Sequence, residues 1–187
     1  MFSLLRFDTI VSVKKNSKES MLKIYFANDL FSEAHRMYNE FIAVKIRDSF
    51  QNVDLYLPQE NLEINDKNAY ADSQQIYEGD NEKLDNADIL IAVIDAPEID
   101  SGVSCEIGRF ANICESDNSK KRYIIALYTD SRQQGTTNTK KIDALVKNPT
   151  ENQFMYRNLY VIGAIKRNGL IVNSTNDLLK ELKNLIN

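Results

Sequence analysis

Short apolar runs alternate along this chain with polar segments of helical periodicity, beginning at residue 22. The run LKIYFA at 22–27 has no helical stripe and predicts a buried strand. In the next segment apolar side chains recur at spacings of three or four, which predicts a helix with one apolar face. They are Phe31, Ala34, Tyr38, Phe41 and Val44. Residues 22–44 are therefore predicted to form a strand followed by a helix.

The same alternation continues to the middle of the chain. VDLYLP at 53–58 predicts a second strand that ends at its proline. The polar segment QENLEINDKNAYADSQ at 59–74 predicts a loop or lid. A helix over about 74–86 is then expected, followed by ADILIAVID at 87–95, whose apolar run is the strongest strand signal in the chain.

The C-terminal half repeats the pattern with a longer interruption. We predict a helix over about 102–115, and RYIIALYTD at 122–130 predicts another buried strand. The polar segment 131–150 predicts an excursion with one helical turn. NLYVIGAI at 158–165 predicts a late strand or a strand–helix junction, and STNDLLKELKNLI at 174–186 a closing amphipathic helix.

Strands that alternate with helices imply a mostly parallel sheet with helices on both faces. We therefore expect an α/β fold with a five-stranded, doubly wound sheet of the flavodoxin or Rossmann type. A length of 187 residues fits one domain, over 21–187. Residues 1–20 are expected to form a loosely ordered N-terminal extension. Arg6 and Asp8 interrupt its apolar start, so neither a secretion signal nor a membrane span is predicted.

Charge and cysteine content narrow the possible partners. The formal net charge is −4, with acidic and basic residues interspersed, which argues against a nucleic-acid partner. Cys105 and Cys114 are the only cysteines and His35 is the only histidine, so no typical zinc site is expected. We expect Cys105 to pack into the core and His35 to be a surface or packing residue. A reducing, cytoplasmic location fits this cysteine content best.

The segment IDSGVSCEIGRF at 99–110 follows the strongest predicted strand and carries the candidate chemistry. Asp100 or Ser101 is the expected helix cap, which places Glu106 in the first or second turn, where the helix dipole favours its ionised form. An ionised carboxylate at the carboxyl end of a strand is a candidate nucleophile or general base. Gly102 allows close backbone approach. A glutamate early in a helix is, however, commonly only a surface residue.

Four segments together resemble the nucleoside 2-deoxyribosyltransferase family, from about residue 23 to the C-terminus. They are KIYFANDLFS at 23–32, EGDNEKLDNADILIAVID at 78–95, DSGVSCEIGRFA at 100–111 and NLYVIG at 158–163. The third follows the D-x-G-x-x-x-E pattern of the family. One departure is the pair Asn28–Asp29, where family members commonly have Gly-Pro. An acidic Asp29 at this turn disfavours a phosphate, so nucleosides are expected rather than nucleotides.

The resemblance implies roles for individual residues. Glu106 would be the nucleophile, Asp80 the general acid, Asp100 a helper near the base, and Tyr25 the residue that orients Glu106. Asn158 would hold the sugar hydroxyl across a subunit interface, with Asn152 as the alternative. The remaining expected substrate-binding residues are Gly102, Ser101, Asn61 and Phe31, and Glu60 lies beside them in the LPQEN loop.

The implied activity is the exchange of nucleobases on 2′-deoxynucleosides through a covalent 2-deoxyribosyl-glutamate intermediate, as in nucleoside salvage. The expected partners are a 2′-deoxynucleoside and a free nucleobase, with no cofactor, no metal and no membrane. A homo-oligomer, a dimer or hexamer with active sites near subunit interfaces, is expected. The alternative is an N-glycoside hydrolase of 2′-deoxynucleosides or their 5′-monophosphates, whose family shares the D-x-G-x-x-x-E pattern. A nucleotide-sensing module without catalysis is a third hypothesis.

Overall fold

The computed structural model describes residues 21–66, 68, 70–154 and 157–186, and the expected extension at 1–20 lies outside them. Its sheet has five strands in the order β2-β1-β3-β4-β5, and every neighbouring pair is parallel. The strands are β1 Leu22–Ala27, β2 Val53–Tyr56, β3 Ile89–Val93, β4 Tyr123–Leu127 and β5 Gly169–Val172. This order is that of flavodoxin-like sheets, so the predicted fold class is confirmed.

Helices cover both faces of the sheet. They are α1 Glu33–Ser49, α2 Leu62–Asn65, α3 Ser73–Asn86, α4 Ser101–Ser116, α5 Thr139–Lys147, α6 Leu159–Asn168 and α7 Thr175–Ile186. The side chain of Ser32 caps α1 by accepting from the backbone N–H of His35, and Asp72 and Gln75 form a capping box at α3. None of these helices has the length and apolar composition that a membrane span requires.

Two apolar cores lie on opposite faces of the sheet. The first lies beneath α1 and α7, where Ile42 and Leu178 are buried with Ile24 and Phe26 of β1. The second lies beneath α3, α4 and α6, and it includes Tyr25 of β1. Because successive side chains of a strand point to opposite faces, Tyr25 is directed to the α4 side, while its neighbours are directed to α1.

The segment 159–165 is helical, which corrects the predicted late strand or strand–helix junction. It forms most of α6, capped by Asn158, whose Oδ1 accepts a hydrogen bond of 3.0 Å from the backbone N–H of Tyr160. Val161 and Ile165, four residues apart, both contact the core under α4, so the apolar run has the period of a helix. The last strand follows it as β5, which was not predicted because the strand has only four residues.

Gly169, at the start of β5, is required by the close approach of two strands. A Cβ at this position would lie 1.8 Å from the backbone oxygen of Ile124 on β4. Any other residue would push β5 away from the sheet.

Two other segments contain more helix than was predicted. The polar excursion at 131–150 carries the nine-residue α5 rather than one turn, and the predicted loop at 59–74 carries the short α2. Both segments are mostly polar, so the helical periodicity of their apolar residues is weak. Local caps help these helices to form: Asn138, for example, accepts a hydrogen bond from the backbone N–H of Lys141.

Cys105 is exposed, so the prediction that it packs into the core is wrong. The buried positions of α4 are Val103, Ile107, Phe110 and Ala111, and Cys105 lies off the face that they form. His35 pairs with Asp29 at 2.9 Å between Nδ1 and Oδ2 and is partly exposed, in agreement with a surface role.

Candidate functional site

A tyrosine–glutamate pair links β1 to α4 at the carboxyl edge of the sheet. The hydroxyl of Tyr25 donates a hydrogen bond of 2.6 Å to Oε1 of Glu106, although the two residues are 81 positions apart. Tyr25 is fully buried, and Glu106 lies in the second turn of α4. Burial and the negative charge of Glu106 raise the pKa of Tyr25 far above its ordinary value, so its hydroxyl stays protonated and acts as a donor.

Glu106 is poised to titrate near neutral pH. Burial raises its pKa to about 7, the hydrogen bond from Tyr25 opposes that rise, and the negative charges of Asp80 and Asp100 add to it. At neutral pH a substantial fraction of Glu106 is therefore ionised, and the hydrogen bond from Tyr25 fixes the position of one carboxylate oxygen.

A second tyrosine–carboxylate pair lies beside the first. The hydroxyl of Tyr56 on β2 is 3.0 Å from Oδ1 of Asp80 on α3, and Nδ2 of Asn61 donates to that hydroxyl at 3.1 Å. The rings of Tyr25 and Tyr56 are 5.2 Å apart between centroids. Tyr56 was not among the predicted site residues. It is the last residue of β2, so it lies at the edge of the sheet where ligands bind in such folds.

Asp100 is the N-terminal cap of α4. Its Oδ1 accepts a hydrogen bond of 3.0 Å from the backbone N–H of Val103. A Cβ at residue 102 would lie 3.0 Å from the same oxygen, so glycine at this position leaves Asp100 undisturbed. The capping bond therefore holds the Asp100 carboxylate at the start of the helix that carries Glu106.

The three predicted catalytic carboxylates, Asp80, Asp100 and Glu106, line one cleft of about 220 Å³. Gly102 and the predicted substrate-binding residue Phe31 line it as well. The other lining residues are Asn28, Asp29, Leu30, Pro58, Asn65, Ile76 and Val103. The cleft thus combines acidic groups with apolar surface, as small-molecule sites do.

The turn Asn28–Asp29 is held by a buried amide. Asn39 on α1 is only 1% exposed. Its Oδ1 accepts a hydrogen bond of 2.6 Å from Asn28, and its Nδ2 donates to the backbone oxygen of Asp29 and to Gln59, each at 3.0 Å. These bonds join the β1–α1 turn to the loop after β2, so a fixed turn forms here without Gly-Pro.

Four of the residues considered for substrate binding lie elsewhere. Ser101 lines a neighbouring cavity of about 480 Å³ rather than the cleft, and Asn61 does not line the cleft but donates from its amide to Tyr56. Asn158 is exposed at the start of α6 and does not line the cleft. The alternative, Asn152, accepts a hydrogen bond from the N–H of Phe154.

Across 21–66, 68, 70–154 and 157–186, no group of three or more His, Cys, Asp or Glu side chains is arranged to hold a metal ion.

Comparison with known proteins identifies the family. The family model "Nucleoside 2-deoxyribosyltransferase" matches residues 24–174. The chain belongs to the nucleoside 2-deoxyribosyltransferase family. It is accordingly an enzyme of the nucleoside deoxyribosyltransferase type. The match spans Tyr25, Asp80, Asp100 and Glu106, so all four residues lie within the family domain.

Two solved structures resemble this member of the family. A conserved protein from Enterococcus faecalis V583 is 48% identical, with a TM-score of 0.77 over 88% of this chain and 99% of that one. A 2-deoxyribosyltransferase from the psychrotolerant bacterium Bacillus psychrosaccharolyticus is 17% identical, with a TM-score of 0.56 over 84% of this chain and 90% of that one. The second likeness supports the fold. No curated protein matches the chain.

Proposed function

We propose that this enzyme exchanges nucleobases on 2′-deoxynucleosides through a covalent 2-deoxyribosyl ester of Glu106. The observation that supports this most strongly is the 2.6 Å hydrogen bond from Tyr25 to Glu106 inside a cleft that Asp80 and Asp100 also line. A buried carboxylate that one donor holds in place is suited to act as a nucleophile.

The first half of the reaction breaks the bond between C1′ and the base. The Glu106 carboxylate attacks C1′ as the C1′–N bond breaks, and the electron pair of that bond stays on the base nitrogen. Asp80 gives this nitrogen a proton, so a neutral base departs and a deoxyribosyl ester remains. The transition state resembles an oxocarbenium ion, and the absence of a 2′-hydroxyl makes that cation easier to form.

The second half reverses these steps with another base. The acceptor nitrogen attacks C1′, its proton passes to Asp80, and Glu106 leaves as a carboxylate. Two inversions at C1′ give net retention, as in retaining glycosidases. Phe31, Pro58 and Ile76 supply apolar surface for the base, and neither a metal nor an organic cofactor takes part in this scheme.

Nucleosides, rather than their 5′-monophosphates, are the proposed substrates. Asp29 and Asp100 both line the cleft, and two carboxylates would repel a phosphate group. The hydrolase alternative, in which water replaces the acceptor base, uses the same residues for its first half. The proposed role is nucleoside salvage in the cytoplasm.

Incubation of the purified enzyme with 2′-deoxyinosine and adenine separates these functions. We expect 2′-deoxyadenosine and hypoxanthine to form in equal amounts, with little free 2-deoxyribose. Free deoxyribose as the main product would favour the hydrolase, and a preference for 2′-deoxyinosine 5′-monophosphate would contradict the proposed substrate class. No release of base from any deoxynucleoside would favour the sensing module.

The rate should depend on the ionisation of Glu106. Because the nucleophile must be ionised and its pKa is about 7, kcat/KM should rise as the pH rises through about 7. The Tyr25 hydrogen bond lowers the pKa of Glu106, so Tyr25→Phe should move this midpoint to higher pH. The pH dependence of kcat/KM, measured for wild type and for Tyr25→Phe, gives both midpoints. An unchanged or lower midpoint in the variant would contradict this role.

We further propose that the enzyme is a homo-oligomer in which Asn158 completes the cleft of a neighbouring subunit. Asn158 does not line its own cleft, and the adjacent Leu159 and Tyr160 are 82% and 87% exposed. Leu159 and Tyr160 thus offer apolar surface that contact with a second subunit would bury.

Mixing two inactive variants tests this arrangement. In a hetero-oligomer of Glu106→Ala and Asn158→Ala subunits, some clefts receive both intact residues. After subunit exchange we expect about a quarter of the wild-type activity, because about that fraction of sites in a random mixture is intact. No recovery in verified hetero-oligomers would show that Asn158 does not act across the interface.

A further inference from the structure

Two tyrosines that are partners in the sheet each hold one carboxylate of the cleft. Tyr25 on β1 and Tyr56 on β2 are paired in the parallel register. The first donates to Glu106 at 2.6 Å, and the second is 3.0 Å from Asp80. In the proposed function Tyr25 holds Glu106 in place, whereas the hydroxyl of Tyr56 has no assigned role.

The neighbouring amide determines the direction of the Tyr56 hydrogen bond. Nδ2 of Asn61 can only donate, so at 3.1 Å the Tyr56 oxygen accepts from it. The single hydroxyl proton of Tyr56 is then directed to Oδ1 of Asp80. Burial raises the pKa of Tyr56, which keeps this proton in place, although the hydrogen bond from Asn61 acts in the opposite direction.

Asn61 is itself well placed to set this direction. It lies between the turn at Pro58–Glu60 and α2, and its backbone N–H donates to the oxygen of Pro58 at 3.0 Å. The donor is therefore attached to a fixed piece of backbone next to the end of β2. In this chain of hydrogen bonds Asn61 donates to Tyr56, and Tyr56 donates to Asp80.

We propose that Tyr56, oriented by Asn61, is a positioning residue for the proton donor Asp80. The hydrogen bond from Tyr56 to Oδ1 restricts the rotation of the Asp80 carboxyl group. It thereby fixes the place from which the acid proton passes to the nitrogen of the departing base, as that nitrogen takes the electron pair of the C1′–N bond. This inference rests on the proposed function, in which Asp80 is the general acid.

The test compares, in wild type and in Tyr56→Phe, how strongly the rate depends on the acidity of the departing base, which determines how much that base needs a proton in order to leave. We would measure kcat/KM for a series of 2′-deoxynucleosides whose bases differ in acidity, including halogenated bases, with wild type and Tyr56→Phe. A poorly acidic base cannot leave without a proton, whereas a strongly acidic base leaves almost unaided. The loss in Tyr56→Phe should grow from about threefold for the most acidic base to about 30-fold or more for the least acidic.

Matched variants separate positioning from structural damage. Tyr25→Phe removes the partner hydroxyl on the neighbouring strand, and its loss should be uniform across the series because every substrate needs the nucleophile. Tyr77→Phe, on the helix that carries Asp80 but with its hydroxyl beside Arg109, should match wild type. Asn61→Asp replaces the donor by an acceptor that competes for the Tyr56 proton, so it should reproduce the base-dependent loss of Tyr56→Phe.

The outcomes distinguish this inference from the proposed function. If wild type releases base but the loss in Tyr56→Phe is the same for every base, the positioning role is refuted and the proposed function stands. If wild type releases base from none of the series, the proposed function itself fails. A thermal unfolding midpoint of Tyr56→Phe near that of wild type, together with a base-dependent loss, supports the inference.

Discussion

Glu106→Ala should lose base exchange by about 10⁴-fold or more, because it removes the group that bonds to C1′. The fold should persist, since the Glu106 side chain contributes a carboxylate to a cleft rather than apolar packing to the core. Initial rates of 2′-deoxyadenosine formation, with thermal unfolding as the structural check, measure both effects.

A small external nucleophile distinguishes loss of the nucleophile from general damage. In Glu106→Ala, azide can enter the vacated space and attack C1′ directly, which would give a deoxyribosyl azide of inverted configuration. Glu115→Ala provides the matched control, because Glu115 is an exposed glutamate near the other end of the same helix. Base exchange by Glu106→Ala at a rate near wild type, or loss of activity in Glu115→Ala of equal size, would contradict the assigned role.

Asp80→Asn should lower kcat by about 10²- to 10⁴-fold, which is the usual contribution of a general acid. Asparagine keeps the size of the side chain, and its carbonyl oxygen can still accept from Tyr56, so the change removes mainly the acid proton. Steady-state rates with 2′-deoxyinosine and adenine measure the loss.

The control for this variant lies on the same helix. Asp85→Asn changes an aspartate that pairs with Arg109 at 2.6 Å on the surface, and its activity should remain near that of wild type. A small loss in Asp80→Asn, of the size seen in Asp85→Asn, would show that another group supplies the proton.

The sequence predicted the sheet well where burial is complete. Every residue of β3 is buried, so its apolar run carried a strong signal, and the same is true of most of β4. The start of α6 was predicted as a late strand or a strand–helix junction because its apolar residues are consecutive. The packing against α4 that accompanies its helical form is not visible in a short stretch of sequence. β5 was missed because four residues carry too little pattern.

The residues of the candidate site likewise include some that were predicted and some that were not. Glu106, Asp80, Asp100 and Tyr25 were predicted from the family resemblance of three short segments, and the structure brings all four together. Tyr56 and Asn39 were not predicted, because their roles arise from partners 24 and up to 20 positions away in the chain. Such contacts depend on how strands and helices are placed next to one another, and no local pattern of residue types encodes them.

The most direct test of the account is a mass measurement on Glu106 during turnover. The wild-type enzyme would be mixed with 2′-deoxyinosine without an acceptor base, quenched in acid within the first turnover, digested and analysed by mass spectrometry. We predict that the peptide containing Glu106 gains the mass of one 2-deoxyribosyl group, and that added adenine removes it to yield 2′-deoxyadenosine. Hypoxanthine release without this adduct, or an adduct on any other side chain, would contradict the proposed mechanism.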